Sequence, residues 1–247
     1  MRKRTTRPAR EASSAADRAY DGIIDLVLRH ELRPGERTSV NLLAKRIGLG
    51  RTPIKEAITR LQTEGLLSVA GRSGTVVNLI DREETKKLFA LRRVLEDFAA
   101  DECVENASAG QIRRLRELTG EMRRHSANPD NTMRSTAEFV RANVAFHTTI
   151  VAATGNRFLL RIYSQIQMHL QIVTYLARRG YDPTASERRQ REHEDIYKAI
   201  TARDARMLKT ALRSHAQTTE KAILRSFETI PGSLRPDTMV VRTFLKS

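Results

Sequence analysis

The chain has 247 residues, a formal net charge of +15 and a pI near 10.7. The excess of cations suits a polyanionic partner, and the single cysteine excludes an internal disulfide framework and a thiolate-rich zinc site. No run approaches the ~18 apolar residues of a membrane span and no secretory segment follows the N-terminal charges, so we expect a soluble cytoplasmic protein without a membrane partner.

Residues 1–16 are predicted to form a disordered basic arm. Five of the first ten residues are lysine or arginine, and they lie among threonine and proline with almost no apolar side chain. Such an arm either contacts a polyanion or only keeps the chain soluble, and the sequence leaves both interpretations open.

Residues 17–79 are predicted to form a winged helix-turn-helix domain. Apolar residues at helical spacing predict a first helix, and then two short helices joined by the turn Gly48-Leu49-Gly50. Two short β-segments follow, and they predict a hairpin with a cationic tip at Gly71–Gly74. In chain order, the predicted elements are helices over 17–30, 40–47 and 51–64 and strands over 66–69 and 75–79.

The helix predicted over 51–64 begins with cations and a hydroxyl. Arg51, Thr52 and Lys55 lie in its first turn, where acidic residues are usual because a helix N-terminus carries partial positive charge. The same residues suit a helix whose N-terminus meets phosphates and base edges. We therefore predict that these three residues contact DNA.

Residues 80–229 are predicted to form an all-helical domain, and residues 230–247 an irregular tail. Asp81 and Glu84 have the spacing of a capping box, which marks the start of the first helix. The predicted helices cover 82–106, 109–126, 134–154, 157–179, 184–202 and 205–228. The fold class is therefore mainly α, with an N-terminal winged helix-turn-helix domain and a C-terminal all-α helical bundle.

Three of the six histidines lie on apolar stripes of three different predicted helices: His147, His193 and His215. Asn143 precedes His147 by four residues and shares its helix face. Neutral imidazoles bind zinc and similar metals, and bundles build metal sites from facing helices. Inward histidines are also common as hydrogen-bonded core residues, and His169 on another partly apolar face could replace one of the three.

The chain from about residue 17 to 228 resembles the GntR family of bacterial transcription regulators. The segment from Gly50 to Ile58, with Leu61 and Glu64-Gly65-Leu66, matches the family's helix-turn-helix signature. More narrowly, the chain resembles the FadR subgroup, whose effector domain is all-helical and of the FCD type. The matching effector-domain residues are Leu91-Arg92, Leu95-Glu96, Ala99-Ala100, Asn143, Phe146-His147, Ile150 and Gly155-Asn156.

This resemblance implies how DNA is read. Arg51, Thr52 and Lys55 are expected to reach base edges or phosphates, and the wing tip with Arg72 and Ser73 to enter the minor groove. Lys55 stands where arginine is commoner and lacks its bidentate fork, which predicts weaker base discrimination.

The resemblance also implies a metal site and a ligand. Asn143, His147, His193 and His215 are expected to bind a divalent metal, with zinc favoured and nickel or manganese as alternatives. Asn143 replaces the commoner aspartate, which removes one negative charge. A small carboxylate effector is expected beside the metal, with Arg92 as its partner. The alternative for Arg92 is a surface arginine paired with Glu96 one turn later.

The predicted function is therefore a DNA-binding transcription regulator, a repressor by default, and not an enzyme. We expect a homodimer that reads a palindromic double-stranded operator, because two-fold proteins match two-fold DNA. Two alternatives remain open. One is a metallohydrolase with Glu192 or Glu194 as general base, and the other is a constitutive architectural DNA-binding protein whose helical domain only dimerises.

Overall fold

A computed structural model of the chain describes residues 14–28, 31–33, 35–69, 74–78, 81–126, 133–177 and 183–229. The chain divides into two compact units, one ending at Asn78 and the other beginning at Leu79. Most of the predicted basic arm and the whole of the predicted tail over 230–247 lie outside the described residues. Within the described ranges, none of the helices combines the length and the apolar character that a membrane span requires.

The first unit contains three helices and a small antiparallel sheet in its described residues. The helices are α1 (Ala15–Leu28), α2 (Val40–Ile47) and α3 (Arg51–Thr63), and the strands are β1 (Arg37–Thr38), β2 (Leu67–Val69) and β3 (Thr75–Val77). The sheet order is β1-β3-β2, with both strand pairs antiparallel. This is the predicted winged helix-turn-helix fold. Strand β1 was not predicted, because two residues are too few to show an alternating pattern.

Helix α1 begins at Ala15, two residues inside the segment predicted as the arm. Ser14 is the reason, because its hydroxyl accepts from the Asp17 amide at 3.0 Å and the Asp17 carboxylate accepts from the Ser14 amide at 3.2 Å. This reciprocal pair satisfies backbone N–H groups that the first turn of a helix leaves without partners.

Local chemistry fixes both ends of α2. The Ser39 hydroxyl accepts a hydrogen bond from the Leu42 amide at 3.2 Å and so caps the N-terminus. At the other end, Gly48 has a φ of 74°, a left-handed conformation that glycine adopts without steric cost. The chain can therefore turn sharply and begin α3 only three residues later.

The second unit is all-helical throughout its described residues, as predicted. Its helices are α4 (Arg82–Asn106), α5 (Ala109–Ser126), α6 (Met133–Ala152), α7 (Arg157–Ala177), α8 (Pro183–Thr201) and α9 (Ala205–Thr229). The predicted capping box opens α4, with the Glu84 amide 2.7 Å from the Asp81 carboxylate. Helix α4 packs against α6, α7 and α9, so its buried face lies at the centre of the bundle.

Candidate functional site

The exposed N-terminus of α3 carries the residues predicted to meet DNA. Arg51, Thr52 and Lys55 are all exposed, and the first turn of the helix contains no acidic residue. Gly50 precedes the helix and provides no side-chain cap, so the first amide N–H groups remain available to a ligand. The opposite face of the helix is buried through Ile54, Ala57, Ile58 and Leu61. Helix α3 is thus anchored by its apolar face, with its cations directed to solvent.

The predicted wing is described only at its base. Arg72 and Ser73, the two residues predicted to contact DNA from its tip, lie outside the described residues. Gly74 ends the tip with a φ of 101°, and a Cβ at this position would lie 2.5 Å from the Thr38 carbonyl oxygen. Only glycine fits where the wing returns to pair with β1.

Three histidines from three helices meet inside the second unit. His147 comes from α6, His193 from α8 and His215 from α9, and all three are buried. One ligand atom from each ring lies within 4.8 Å of the others. The ring centroids of His193 and His215 are 4.4 Å apart, and those of His147 and His215 are 5.1 Å apart in a stacked arrangement. Among the described residues, this is the cluster suited to hold a metal, and it does not include His169.

The Nδ1 atom of each ring faces an acceptor. His147 Nδ1 lies 3.0 Å from Glu96 Oε1, His193 Nδ1 lies 2.7 Å from the Arg189 carbonyl oxygen, and His215 Nδ1 lies 2.9 Å from Glu192 Oε2. An oxygen acceptor requires that Nδ1 carry the proton, so each neutral ring presents the lone pair of Nε2. Fixing the tautomer in this way is what the outer partners of metal-bound histidines do.

Burial keeps the three rings neutral. It lowers the pKa of His193 and of His215 well below the value of an exposed histidine, and neighbouring imidazoles and Arg92 lower both further. Burial and the Arg92 guanidinium also lower the pKa of His147. Neutral imidazole is the form that binds metal.

Asn143 joins the cluster at His193. Its Oδ1 atom lies 2.8 Å from His193 Nε2, the nitrogen that the Arg189 carbonyl leaves without a proton. Two lone pairs therefore face one another across this distance. A cation bound by both atoms, or an amide turned so that its NH₂ group donates, satisfies the contact. Three imidazole nitrogens and one amide oxygen are suitable ligands for a divalent transition metal, so the residues present fit such an ion.

Arg92 borders the cluster within a buried polar network. Its Nε donates to Glu96 Oε1 at 2.9 Å, and its Nη2 lies against the His147 ring, 2.9 Å from Nε2 and 3.0 Å from Nδ1. Tyr163 donates to the same carboxylate oxygen at 2.5 Å, and Gln167 donates to the Tyr163 hydroxyl at 2.8 Å. Arg92 is only 2% exposed, so the predicted pair with Glu96 exists but lies in the core and not on the surface.

The charges in this network stabilise one another. Burial opposes the negative charge of Glu96, but the Arg92 guanidinium, His147 and Tyr163 outweigh it and hold the pKa of that carboxyl well below its usual range. Burial and the adjacent Glu96 raise the pKa of Tyr163, so its hydroxyl remains a donor. The network therefore consists of the Arg92–Glu96 ion pair and of neutral donors, among them the Tyr163 hydroxyl, that hydrogen-bond the carboxylate.

The sequence did not identify the residues that orient the rings. Glu96, Tyr163 and Glu192 contact the predicted ligands or Arg92, but only the folded bundle brings them there. Glu192 hydrogen-bonds His215, and Glu194 pairs with Arg123 and Gln190. Both carboxylates considered as general bases thus have other partners. Helical spacing indicated which side Glu96 would face, since Arg92 and Glu96 are one turn apart.

Comparisons with known proteins match both units. The family model described as "FCD domain" matches residues 87–218, and the model described as "Bacterial regulatory proteins, gntR family" matches residues 15–77. The chain is 24% identical over 222 residues to the HTH-type transcriptional regulator LutR of Bacillus subtilis (strain 168), with 82% of this chain and 98% of that protein covered.

Two further similarities extend across most of the chain. It is 23% identical over 198 residues to the HTH-type transcriptional repressor GlaR of Escherichia coli (strain K12), which covers 78% of this chain and 88% of that protein. The solved structure of E. coli McbR/YncC has a similar fold, with a TM-score of 0.74 and 19% identity over 88% of this chain and 99% of that one.

The family and the curated relatives are transcription regulators, which supports the main prediction and not the enzyme alternative. The FCD model matches more than half of the residues of this chain. The chain therefore belongs to the FCD-containing GntR family and is a DNA-binding transcriptional regulator.

Proposed function

We propose that Arg51, Thr52 and Lys55 read a palindromic operator from the N-terminus of α3, with Arg72 and Ser73 contacting DNA from the wing. The exposed cations at an uncapped helix N-terminus carry this proposal. Phosphates meet backbone N–H groups and the positive helix end there, while arginine can reach a guanine edge in the major groove. Much of the affinity is expected from phosphate contacts, so binding should weaken steeply with salt.

Asn143, His147, His193 and His215 are proposed to bind one divalent metal ion, zinc foremost, with nickel or manganese as alternatives. Support comes from the three buried imidazoles, from the partly buried Asn143 amide beside them, and from the partners that leave each Nε2 without a proton. Zinc favours imidazole ligands, and the amide oxygen adds a neutral fourth ligand. Without the negative charge of an aspartate, the site should hold its metal less tightly than a histidine site that contains one.

A small carboxylate is the proposed effector, and Arg92 its partner. The Arg92 guanidinium borders the histidine cluster, where it can pair with a carboxylate placed beside the ion. In the proposed mechanism, the acid binds one arrangement of the regulator better than the other, and DNA affinity changes by that difference. Relief of repression is the proposed response, in line with a relative that is named a repressor.

The proposed assembly is a cytoplasmic homodimer. Helix α4 has an exposed apolar stripe of Leu91, Val94 and Phe98, which are 41%, 66% and 56% exposed. Phe158 and Ile162 are also exposed on α7, which packs against α4. Large exposed apolar residues on adjoining helices favour burial against a second copy.

The experiment that tests DNA reading is a mobility-shift titration with Arg51→Ala. A duplex selected by wild type from a random library serves as the operator, and a scrambled duplex as the nonspecific control. We expect the variant to lose roughly 5- to 150-fold in operator affinity, because one good base contact contributes about 1–3 kcal/mol. Arg113→Ala removes an exposed cation of α5, in the second unit, and should change little. Wild-type binding of both duplexes by Arg51→Ala would refute the assignment of the reading helix.

A further inference from the structure

We propose that Glu192 supplies, through His215, the negative charge that the four metal ligands lack, and that this charge sets how tightly the site holds a divalent ion. The inference rests on the metal-binding function proposed above and concerns what determines the affinity of that site.

The proposed metal ligands carry no negative charge of their own. Asn143 is a neutral amide, and the three rings are neutral because burial lowers their pKa values. A dication at this site therefore finds no counter-charge among its ligands, and a buried charge needs an opposite charge nearby. In the described part of the chain, two carboxylates contact a ligand ring. Glu96 lies 3.0 Å from His147 Nδ1, and Glu192 lies 2.9 Å from His215 Nδ1.

The charge of Glu96 is already matched by Arg92. The Arg92 Nε atom donates to Glu96 Oε1 at 2.9 Å, and both side chains are only 2% exposed, so water does not screen the two charges from each other. Tyr163 donates to the same carboxylate oxygen. Because the pair has no net charge, it offers an arriving dication little attraction.

Glu192 has no such partner. None of the lysine and arginine side chains that the structure describes forms an ion pair with it, and its close charged contact is the His215 ring. Burial raises the pKa of Glu192, whereas a hydrogen bond with Thr218 and the charges of Arg188 and Arg189 oppose that rise. The carboxylate of Glu192 is therefore the unmatched negative charge in contact with the ligand set.

The position of Glu192 allows it to keep this charge before a metal binds. Its side chain is 14% exposed and lines an open cavity of about 480 Å³ between α8 and α9, together with Asp195, Asp204 and Met207. Contact with solvent stabilises a carboxylate that complete burial would neutralise. Glu192 thus lies between water on one side and a metal ligand on the other.

The carboxylate acts on the metal through the His215 ring. Glu192 Oε2 accepts the Nδ1 proton, which leaves Nε2, on the other side of the ring, as the ligand atom. A carboxylate acceptor makes the opposite nitrogen more basic, and its negative charge attracts the dication through the ring. Loss of such a partner typically lowers metal affinity by about 10- to 100-fold.

The test compares the zinc affinity of wild type and Glu192→Gln, measured on the full chain after metal removal by competition with a chromogenic chelator. A glutamine oxygen can still accept from His215 Nδ1, so this substitution removes the charge and retains the hydrogen bond. We expect Glu192→Gln to bind zinc at least about tenfold more weakly than wild type. Equal affinity would overturn the inference.

Nitrogen NMR of His215 and the Tm of the metal-free protein separate the charge from a structural role. Both should be the same in Glu192→Gln as in wild type, with Nδ1 protonated. If the weaker zinc binding came with a changed tautomer or a lower Tm, the substitution would have disturbed the position of the ring, and the assignment to charge would be wrong.

Asp195→Asn is the matched control. Asp195 lines the same cavity, but it pairs with Lys198 at the surface instead of contacting a ligand ring. Its substitution should change zinc affinity by no more than about twofold, and a loss as large as that of Glu192→Gln would overturn the inference. Zinc binding by wild type with no loss in Glu192→Gln refutes only the role of Glu192. Failure of wild type to bind zinc refutes the proposed metal site as well.

A crystal structure of the zinc-loaded wild type gives a second test that does not depend on folding of a variant. Zinc should lie on His215 Nε2, with Glu192 within about 3 Å of Nδ1. Zinc bound to Nδ1 in place of Glu192, or a lysine or arginine paired with Glu192, would contradict the inference.

Discussion

The sequence indicated part of the geometry of the three clustered histidines, His147, His193 and His215. Each lies on an apolar stripe, which predicted that each ring would face the bundle interior. Whether three inward rings converge depends on how α6, α8 and α9 pack together, which periodicity does not contain. The tautomer of each ring depends further on Glu96, Glu192 and a backbone carbonyl, and these contacts exist only after folding.

Substitution of His193 should abolish stabilisation by zinc. His193 contacts Asn143 and lies closest to His215, so His193→Ala removes the ring that joins the amide to the other two ligands. A ligand that binds only the folded state raises the melting temperature. We expect zinc to raise the Tm of metal-stripped wild type but not of this variant, as measured by calorimetry. His169→Ala is the control, and an unchanged zinc response in His193→Ala would contradict the proposed ligand set.

The stability of the metal-stripped protein should fall between pH 7 and pH 5.5. The folded-state pKa of all three rings is lowered, so the unfolded chain takes up protons first as the pH falls. Their contribution is fully present above about pH 6.5 and decreases below it by up to about 1.4 kcal/mol per ring and pH unit. Urea unfolding at several pH values measures this. A free energy of unfolding that stays constant across the window would show that the rings are not held neutral.

Helix boundaries were the feature that the sequence predicted best. Most predicted starts and ends fall within two residues of those in the structure, because caps, glycines and prolines act locally. The capping box of α4 and the turn at Gly48 are examples. Strand β1 was missed, since two residues pair with β3 only because the tertiary fold brings them alongside. The end of a helix depends on residues next to it in the sequence, whereas a strand of two residues forms only when a partner strand lies beside it.

Two helical glycines should respond oppositely to alanine. Gly120 lies within α5, where a new Cβ would meet only Arg124 Nη1 at 3.8 Å. Gly22 lies within α1, where a new Cβ would lie 2.9 Å from Ile47 Cγ2. Alanine favours a helix over glycine by about 0.5–1 kcal/mol, so Gly120→Ala should raise stability by that amount.

At Gly22 the same gain is opposed by a clash with a β-branched side chain that cannot easily turn away. Gly22→Ala should therefore lower the Tm of the first unit in calorimetry, while Gly120→Ala raises that of the second. Stabilisation by both substitutions would mean that α1 and α2 pack less closely than the structure shows.

Helix α4 joins the interior of the second unit to its surface. One face carries Arg92 and Glu96 towards the histidines, and the other carries the exposed stripe of Leu91, Val94 and Phe98. A movement of Arg92 and a dimer interface on the stripe would therefore both involve helix α4. This arrangement offers a physical route by which a ligand in the bundle could alter the pairing of two DNA-reading helices.

A charge on the stripe should separate the proposed dimer. Val94 is 66% exposed, so Val94→Glu adds a carboxylate without disturbing the core of one chain. Burying an unpaired charge in an apolar interface is costly, and we expect a monomer by sedimentation analysis at micromolar concentration. The control is Lys221→Glu, which changes an exposed residue of α9 and should leave the assembly unaltered. Leu160 is unsuitable as a control site, because it packs against the core of its own chain. If the Val94→Glu protein were still dimeric, the stripe would not be part of the dimer interface.

The sequence by itself determined the order of elements, the cation-rich start of α3 and the inward side of each histidine. These follow from spacing, capping and charge within a few residues, which are local properties of the chain. Tertiary packing alone decided that Arg92 would lie buried between Glu96 and His147, and that Glu192 would orient His215. The contacts with His147 and His215 join residues on different helices, and only the packed bundle fixes the distances between them.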